Sequence, residues 1–201
     1  MSHNAKLIHY KERSMLEEAE ECGLLALKIF KELKDSSSLG DVYNNLGVLM
    51  TATDEPQRAL DFHLNQHDIN LKKNNVWGMG YSHSKLAACY AKQNNFEKAQ
   101  FHMEKALQIT QEIGTPYELA GSLLKAGRLF FKMRKFDNAL KFTHRARSIT
   151  LQHSQRNVYV DILSTLSNIH QEKGQLDSAI LYSRIFTRQG RSPQLYYWRT
   201  A

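Results

Sequence analysis

Ala19, Ala59, Ala99, Ala139 and Ala179 are separated by one constant interval of 40 residues, kept without insertion or deletion. A register held this strictly points to an array of similar units, and it decides the architecture before any single residue is weighed. Other positions keep the same step. Leu16, Pro56, Phe96, Phe136 and Leu176 stand three places before the alanines, and Ile29, Ile69, Ile109 and Ile149 stand ten places after the first four. Leu46-Gly47 falls in register with Leu86-Ala87, Ala126-Gly127 and Leu166-Ser167. Four places after the first of each pair comes a large side chain: Met50, Tyr90, Phe130 or His170.

Each interval holds two stretches of helical periodicity, such as Tyr81 to Gln93 and Phe96 to Ile113, joined by a short polar turn. Asn94 and Gly174 share one repeat position in these turns, where a residue that tolerates a left-handed backbone would close the first helix. Pro56 suits the first turn of a second helix, where its missing N–H costs nothing. Asp35-Ser36-Ser37-Ser38, Lys72-Lys73-Asn74-Asn75, Gly114-Thr115-Pro116 and Ser154-Gln155-Arg156-Asn157 supply stops and caps between units. No strand-like alternation competes with this pattern.

Gly47, Ala87 and Gly127 let the first helix of a unit approach the second, whose aligned alanines form the facing surface. Tyr90, Phe96, Phe130 and Phe136 are expected to fill the space between neighbouring pairs. One pair cannot cover its own apolar faces, so the pairs must stack. The expected fold is an all-α superhelix whose concave face is lined mainly by first helices. It forms one repeat domain over 1–201, with units near 1–38 (partial), 39–76, 77–116, 117–157 and 158–190. Residues 191–201 are a tail or the start of a further helix.

Composition narrows the function. Of 201 residues, 42% are apolar and 23% charged, which excludes disordered and collagen-like chains. Two cysteines without CxxC spacing, Cys22 and Cys89, cannot staple a chain of this length and suit a reducing, cytoplasmic compartment. There is no Asn-x-Ser/Thr sequon, no apolar leader at Met1, and no run near the roughly 18 apolar residues of a membrane span. The net charge of +7 is uneven: residues 1–100 carry 12 basic and 13 acidic side chains, residues 101–201 carry 15 and 7.

The run Tyr43-Asn44-Asn45-Leu46-Gly47, the large residue at Tyr90, and Phe96-x-x-Ala99 with Ala106 resemble the signature of the tetratricopeptide repeats over roughly residues 13–189. The forty-residue spacing is similar to that of Leu-Gly-Asn-type adaptors, bacterial peptide-pheromone receptors and regulatory regions of sensor kinases. The resemblance implies a right-handed superhelix that recognises a peptide or protein segment. It also implies peptide-clamp roles for Asn45, Asn168 and Lys125, although Val48, Ala88 and Arg128 replace Asn at one of the clamp positions.

Tyr10 is in register with Met50 and Tyr90, but Lys6-Leu7 replaces the Leu-small pair, so the first unit reads as clipped. Gln194-Leu195-Tyr196-Tyr197-Trp198 reads as the start of another helix. These ends suggest an excerpt of a longer solenoid, or ends covered by a partner, with self-association through the incomplete first repeat as one form of cover.

Catalytic constellations are not apparent: no glycine-rich phosphate loop, no GxSxG, and no Cys with a recognisable His partner. No cofactor is expected. His63 and His67 lie four apart on one helix face, but HLNQH lacks the Glu of HExxH and a recognisable third ligand, so no metal is expected. His102, His144 and His153 are expected to be solvated, and Cys89 to pack in the core.

First-helix residues not used for packing are the better candidates. In the second unit these include Asn44 and Asn45. The third gives Tyr81, Lys85 and Lys92, the fourth Lys125, Arg128, Phe131 and Lys132, and the fifth Asn168. The cations of the third and fourth units are expected to converge on a basic patch, with Phe131 as an apolar contact. Such a patch favours a carboxylate, either a chain terminus or Asp/Glu side chains, and Arg can bind it in a bidentate fashion. Asn45 and Asn168 can bond both donors and acceptors of an extended peptide. An acidic protein or peptide is therefore the expected partner. Nucleic acid is disfavoured, because Lys135, Lys141, Arg145 and Arg147 spread over second helices and the aromatics follow the packing register.

Overall fold

The computed structural model describes Asn4 and residues 15–191, with side chains through residue 188. The sequence features around Tyr10 and Gln194–Trp198 lie outside the described residues. Within them the chain is a run of helices without strands: α1 (Leu16–Glu32), α2 (Ser36–Ala52), α3 (Pro56–Lys72), α4 (Val76–Lys92), α5 (Phe96–Ile113), α6 (Pro116–Lys132), α7 (Phe136–Gln152), α8 (Arg156–Glu172) and α9 (Leu176–Arg191). The chain divides into two compact bodies, residues 1–106 and 107–201, with the division inside α5. In the first, α1 packs on α2, α2 on α3 and α3 on α4; in the second, α6 packs on α7, α7 on α8 and α8 on α9.

The structure halves the period seen in the sequence. Most helices are 17 residues long and most turns are three. Lys34, Asp54, Asn74, Asn94, Arg134, Ser154 and Gly174 therefore fall on a 20-residue grid, and each has a left-handed φ between 51° and 72°. Turns within a pair and turns between pairs are thus built alike. The exception is at Gly114, where Thr115 and Glu118 form a reciprocal capping box and Pro116 opens α6. Asp35 accepts from the backbone N–H groups of Ser37 and Ser38, and Asn75 from that of Gly78, starting α2 and α4.

That last cap corrects one boundary. The sequence pattern begins the first helix of the third repeat at Tyr81, whereas α4 begins at Val76. Gly78 and Gly80, which resemble breakers in the sequence, are buried within it. Asn70 of α3 sits where a Cβ on Gly78 would be and donates from Nδ2 to the Gly78 carbonyl.

The aligned alanines are buried, from 0% exposure at Ala19, Ala99 and Ala139 to 7% at Ala179. The small residues facing them are needed: a Cβ on Gly47 would lie 2.5 Å from Cε1 of His63, and one on Gly127 would meet Oγ1 of Thr143. The large side chains differ from expectation. Instead of only bridging neighbouring pairs, they stack within a pair: Tyr90 on His102 (centroids 5.3 Å), Phe130 on Phe142 (5.2 Å) and His170 on Tyr182 (5.4 Å). Leu46, Leu49 and Leu86 in the first body, and Leu123, Ile162, Leu163 and Leu166 in the second, are fully buried. Each contributes about 1.5–3 kcal/mol of burial.

Candidate functional site

In the first body, α4 presents Trp77, Tyr81 and Lys85 at successive one-turn steps, which places them on one face. Trp77 is 55% exposed and lies parallel to Tyr81, with centroids 5.9 Å apart and 7° between planes. Lys85 holds its Nζ 5.2 Å from the centroid of the Tyr81 ring. An indole stacked and yet open is a ready contact for an apolar or aromatic ligand group. Register marks Tyr81 as a lining residue and passes over Trp77, although the i, i+4, i+8 spacing of the three is visible in the sequence.

The other first-body candidates are more committed. Lys92 donates from Nζ to the Thr51 carbonyl and pairs with Asp54 at 2.9 Å, joining the end of α4 to the turn after α2. This bond and charge hold the Asp54 carboxyl below its ordinary range. Asn45 donates from Nδ2 to Asn4 Oδ1 at 3.0 Å. Asn44 turns toward the packing, with its Oδ1 buried and unbonded.

In the second body, Lys125, Arg128 and Lys132 are exposed on one side of α6, a turn apart. Arg128 reaches across to α8, where Nε donates to Thr165 Oγ1 at 3.2 Å and Nη2 lies 3.6 Å from Asp161 Oδ1. Half of the Arg128 side chain stays open to solvent. The guanidinium is therefore held in place while able to meet a second carboxylate. Asn168 is exposed on α8. Phe131 is instead half-buried against the cluster of Phe130, Ala139 and Ile169, with its ring 6.0 Å from Phe136, which makes it chiefly a packing residue.

Histidines form a group the sequence did not reveal, because they come from three helices at unequal intervals. His83 Nδ1 lies 2.9 Å from His102 Nδ1, and the His67 and His83 rings are 4.5 Å apart. His102 is thus half-buried between Tyr90 and His83, not solvated as its sequence position suggested; His144 and His153 are exposed. Burial lowers the pKa of His67, of His102 and of His83, the last to about 4. His63, 1% exposed with Nδ1 unbonded, is likewise pushed to about 4 by burial. Among the described residues, no group of three or more His, Cys, Asp or Glu is placed to hold a metal ion, and no helix is long and apolar enough to cross a membrane. Cys89 packs in the first core, where burial raises its thiol to about 11, and a thiol that stays protonated is a poor nucleophile.

Residues 80–112, from α4 and α5, match the tetratricopeptide repeat. No curated protein matches the chain significantly. Solved structures share its fold. BtubC (BKLC) from P. vanneervenii is 18% identical with a TM-score of 0.78, over 94% of this chain and 80% of that one. A signal transduction ATPase with numerous domains (STAND) from Pyrococcus horikoshii, with a tetratricopeptide repeat sensor, is 17% identical with a TM-score of 0.81, over 95% of this chain and 30% of that one. A Rap protein in complex with Competence and Sporulation Factor is 14% identical with a TM-score of 0.78, over 94% of this chain and 53% of that one. Residues 80–112 therefore match a tetratricopeptide repeat, and the chain as described shares the all-α helical-repeat fold of these structures.

Proposed function

We propose that the chain is a non-catalytic protein-interaction module that holds an acidic or carboxylate-ended peptide segment on the exposed faces of its first helices. The observation that carries this reading is Arg128. Its guanidinium is oriented by Thr165, loosely paired with Asp161 at 3.6 Å, and flanked by Lys125 and Lys132 on the same helix. A ligand carboxylate can replace Asp161 with a closer, bidentate partner, and the receptor needs no reordering to accept it. In the first body, α4 offers a contact face of its own, with Lys85 beside the stacked Trp77 and Tyr81. Asn168, exposed on α8 in the same body as Arg128, offers an amide to the ligand backbone. The partner is a protein or peptide in the cytoplasm.

The test is binding of an acidic peptide array by the wild-type chain and by the Lys125→Glu/Arg128→Glu variant. Loss of the acidic subset in the variant is the expected result, and unchanged binding overturns the reading. Asp161→Asn supplies the opposite sign, since removing the internal competitor strengthens binding by the same peptides.

A second reading, a sensor region of a larger signalling protein, is favoured by the coverage of two structural relatives. The chain spans 30% of the STAND protein with its repeat sensor, and 53% of the Rap protein bound to Competence and Sporulation Factor. An effector domain on the same reading frame of the parent gene separates this from a free-standing adaptor.

A further inference from the structure

Three imidazoles meet where α3, α4 and α5 pack in the first body, and peptide recognition uses none of them. His67 comes from α3, His83 from α4 and the first-body part of α5 contributes His102. We propose that these histidines form an acid-sensitive joint, which keeps α4 packed on α3 and α5 while the rings are neutral and loosens it as they take up protons.

The geometry sets the proton count. Two Nδ1 atoms 2.9 Å apart hold one proton between them: one nitrogen donates and the other accepts. The pair can take a first proton on the outer nitrogen of the donor ring and keep its bond. A second must go to the accepting Nδ1, where it would face N–H against N–H, so the rings must separate. His67 adds to this. Its Nδ1 lies 2.9 Å from Ser82 Oγ, and Ser82 donates its own proton to the carbonyls of Gly78 and Met79. The serine oxygen thus accepts from His67, leaving the other His67 nitrogen to titrate 4.5 Å, centroid to centroid, from the His83 ring.

The surrounding charges are mixed in sign. Lys105 and Lys98 on α5 disfavour protonation of His83 and His102, while Asp68 on α3 favours it at His67. Tyr90 stacks on His102, Phe101 meets its edge, and Lys85 on α4 acts on the neighbouring His63 of α3. Burial outweighs Asp68, so all three rings are harder to protonate folded than unfolded, where the ordinary value is near 6.5. Stability is therefore complete above about pH 6.5 and falls as pH drops toward the folded values, about 4 for His83. The repeat shows that imidazoles are not required for the packing. Leu123 and Leu163 stand at the register of His83, and Phe62, Phe142 and Tyr182 at that of His102.

Hydrogen exchange read by segment, corrected for the intrinsic effect of pH, tests the joint. In the wild-type chain, protection of α4 amides should fall on the order of tenfold from pH 7 to pH 5, since each proton taken up on opening contributes up to about tenfold per pH unit. His83→Leu/His102→Phe, which installs the fourth-repeat pair, should abolish most of that loss. His63→Thr, which copies the Thr143 found beside Gly127, should leave it in place. Loss of the effect in His63→Thr alone, or its persistence in the double variant, overturns the proposal. NMR titration of the wild-type imidazoles gives a reading that does not depend on any variant folding: values near 6.5 for both His83 and His102 overturn it as well.

Discussion

The two bodies solve the same packing problem with different chemistry. At the close approach of first and second helix, the first body sets His63 against Gly47 and the second sets Thr143 against Gly127. At the stacked pair, the first has Tyr90 on His102 and the second Phe130 on Phe142, with centroid separations of 5.3 and 5.2 Å. The backbone register fixes where a large or small side chain must stand, and leaves open whether it titrates. Thr143 satisfies itself by donating to the Ala139 carbonyl, whereas His63 Nδ1 is buried without a partner. At these two positions the first body therefore has packing whose stability depends on pH, and the second has packing held by apolar contact and a local hydroxyl bond.

The largest expected difference lies in the stacks. Phe130→Ala removes a ring that is 6% exposed and joins the second core, at a cost of about 3–5 kcal/mol. Tyr90→Ala removes a half-buried ring with Lys98 above it, at about 1–2 kcal/mol. Chemical denaturation with hydrogen exchange assigned to each body checks this; equal costs would break the contrast.

The pH response of His63 comes next. Its folded value near 4, against about 6.5 unfolded, means that the folded state resists the proton. Its contribution is whole above pH 6.5 and is lost as pH falls through about 4, a change of about 3 kcal/mol. Denaturation of the wild-type chain and of His63→Thr at pH 7 and pH 4.5 should show the first body weakening in both, since His67, His83 and His102 remain, and less in the variant by the share of His63. The second body, where burial lowers the value of His144, should respond equally in the two proteins.

Gly47→Ala sharpens the same point. The added methyl would lie 2.5 Å from a fully buried ring, so His63 must move or the helices must part, at about 1–3 kcal/mol. Pairing it with His63→Thr should recover part of the loss, and a double-mutant cycle measures how much.

Helix pairs, the role of the small residues and the aligned alanines were legible in the sequence because packing demands size at fixed intervals, and size is visible in one letter. Stack partners were not: Tyr90 and His102 are twelve residues apart on different helices, a spacing no single-helix periodicity marks. The histidine group escaped for the same reason, with His67, His83 and His102 at intervals of 16 and 19 residues. Among the candidate contacts, register names Arg128, Lys85, Lys92 and Phe131 alike, and it does not tell a residue open to solvent from one already engaged. Lys92 is tied to Asp54, and Phe131 is drawn against Phe136 and the cluster of Phe130, Ala139 and Ile169.

The smallest effect concerns the turns, where the two bodies come closest to being interchangeable. Lys34 in the first and Arg134 in the second hold left-handed φ values of 53° and 58°, a conformation that costs a side-chain-bearing residue about 1–2 kcal/mol and glycine almost nothing. Glycine also gives back some entropy to the unfolded chain, so the net gain from substitution is about 1 kcal/mol or less. Lys34→Gly should realise it, since Lys34 is exposed. Arg134→Gly should gain less, because it also removes the guanidinium 5.3 Å from the Phe136 ring and the exposed pair with Glu172 at 3.4 Å. Thermal melts of the two variants check the order. If Arg134→Gly stabilises as much as Lys34→Gly, the contacts above Phe136 contribute nothing, and the turns of the two bodies are equivalent in energy as well as in geometry.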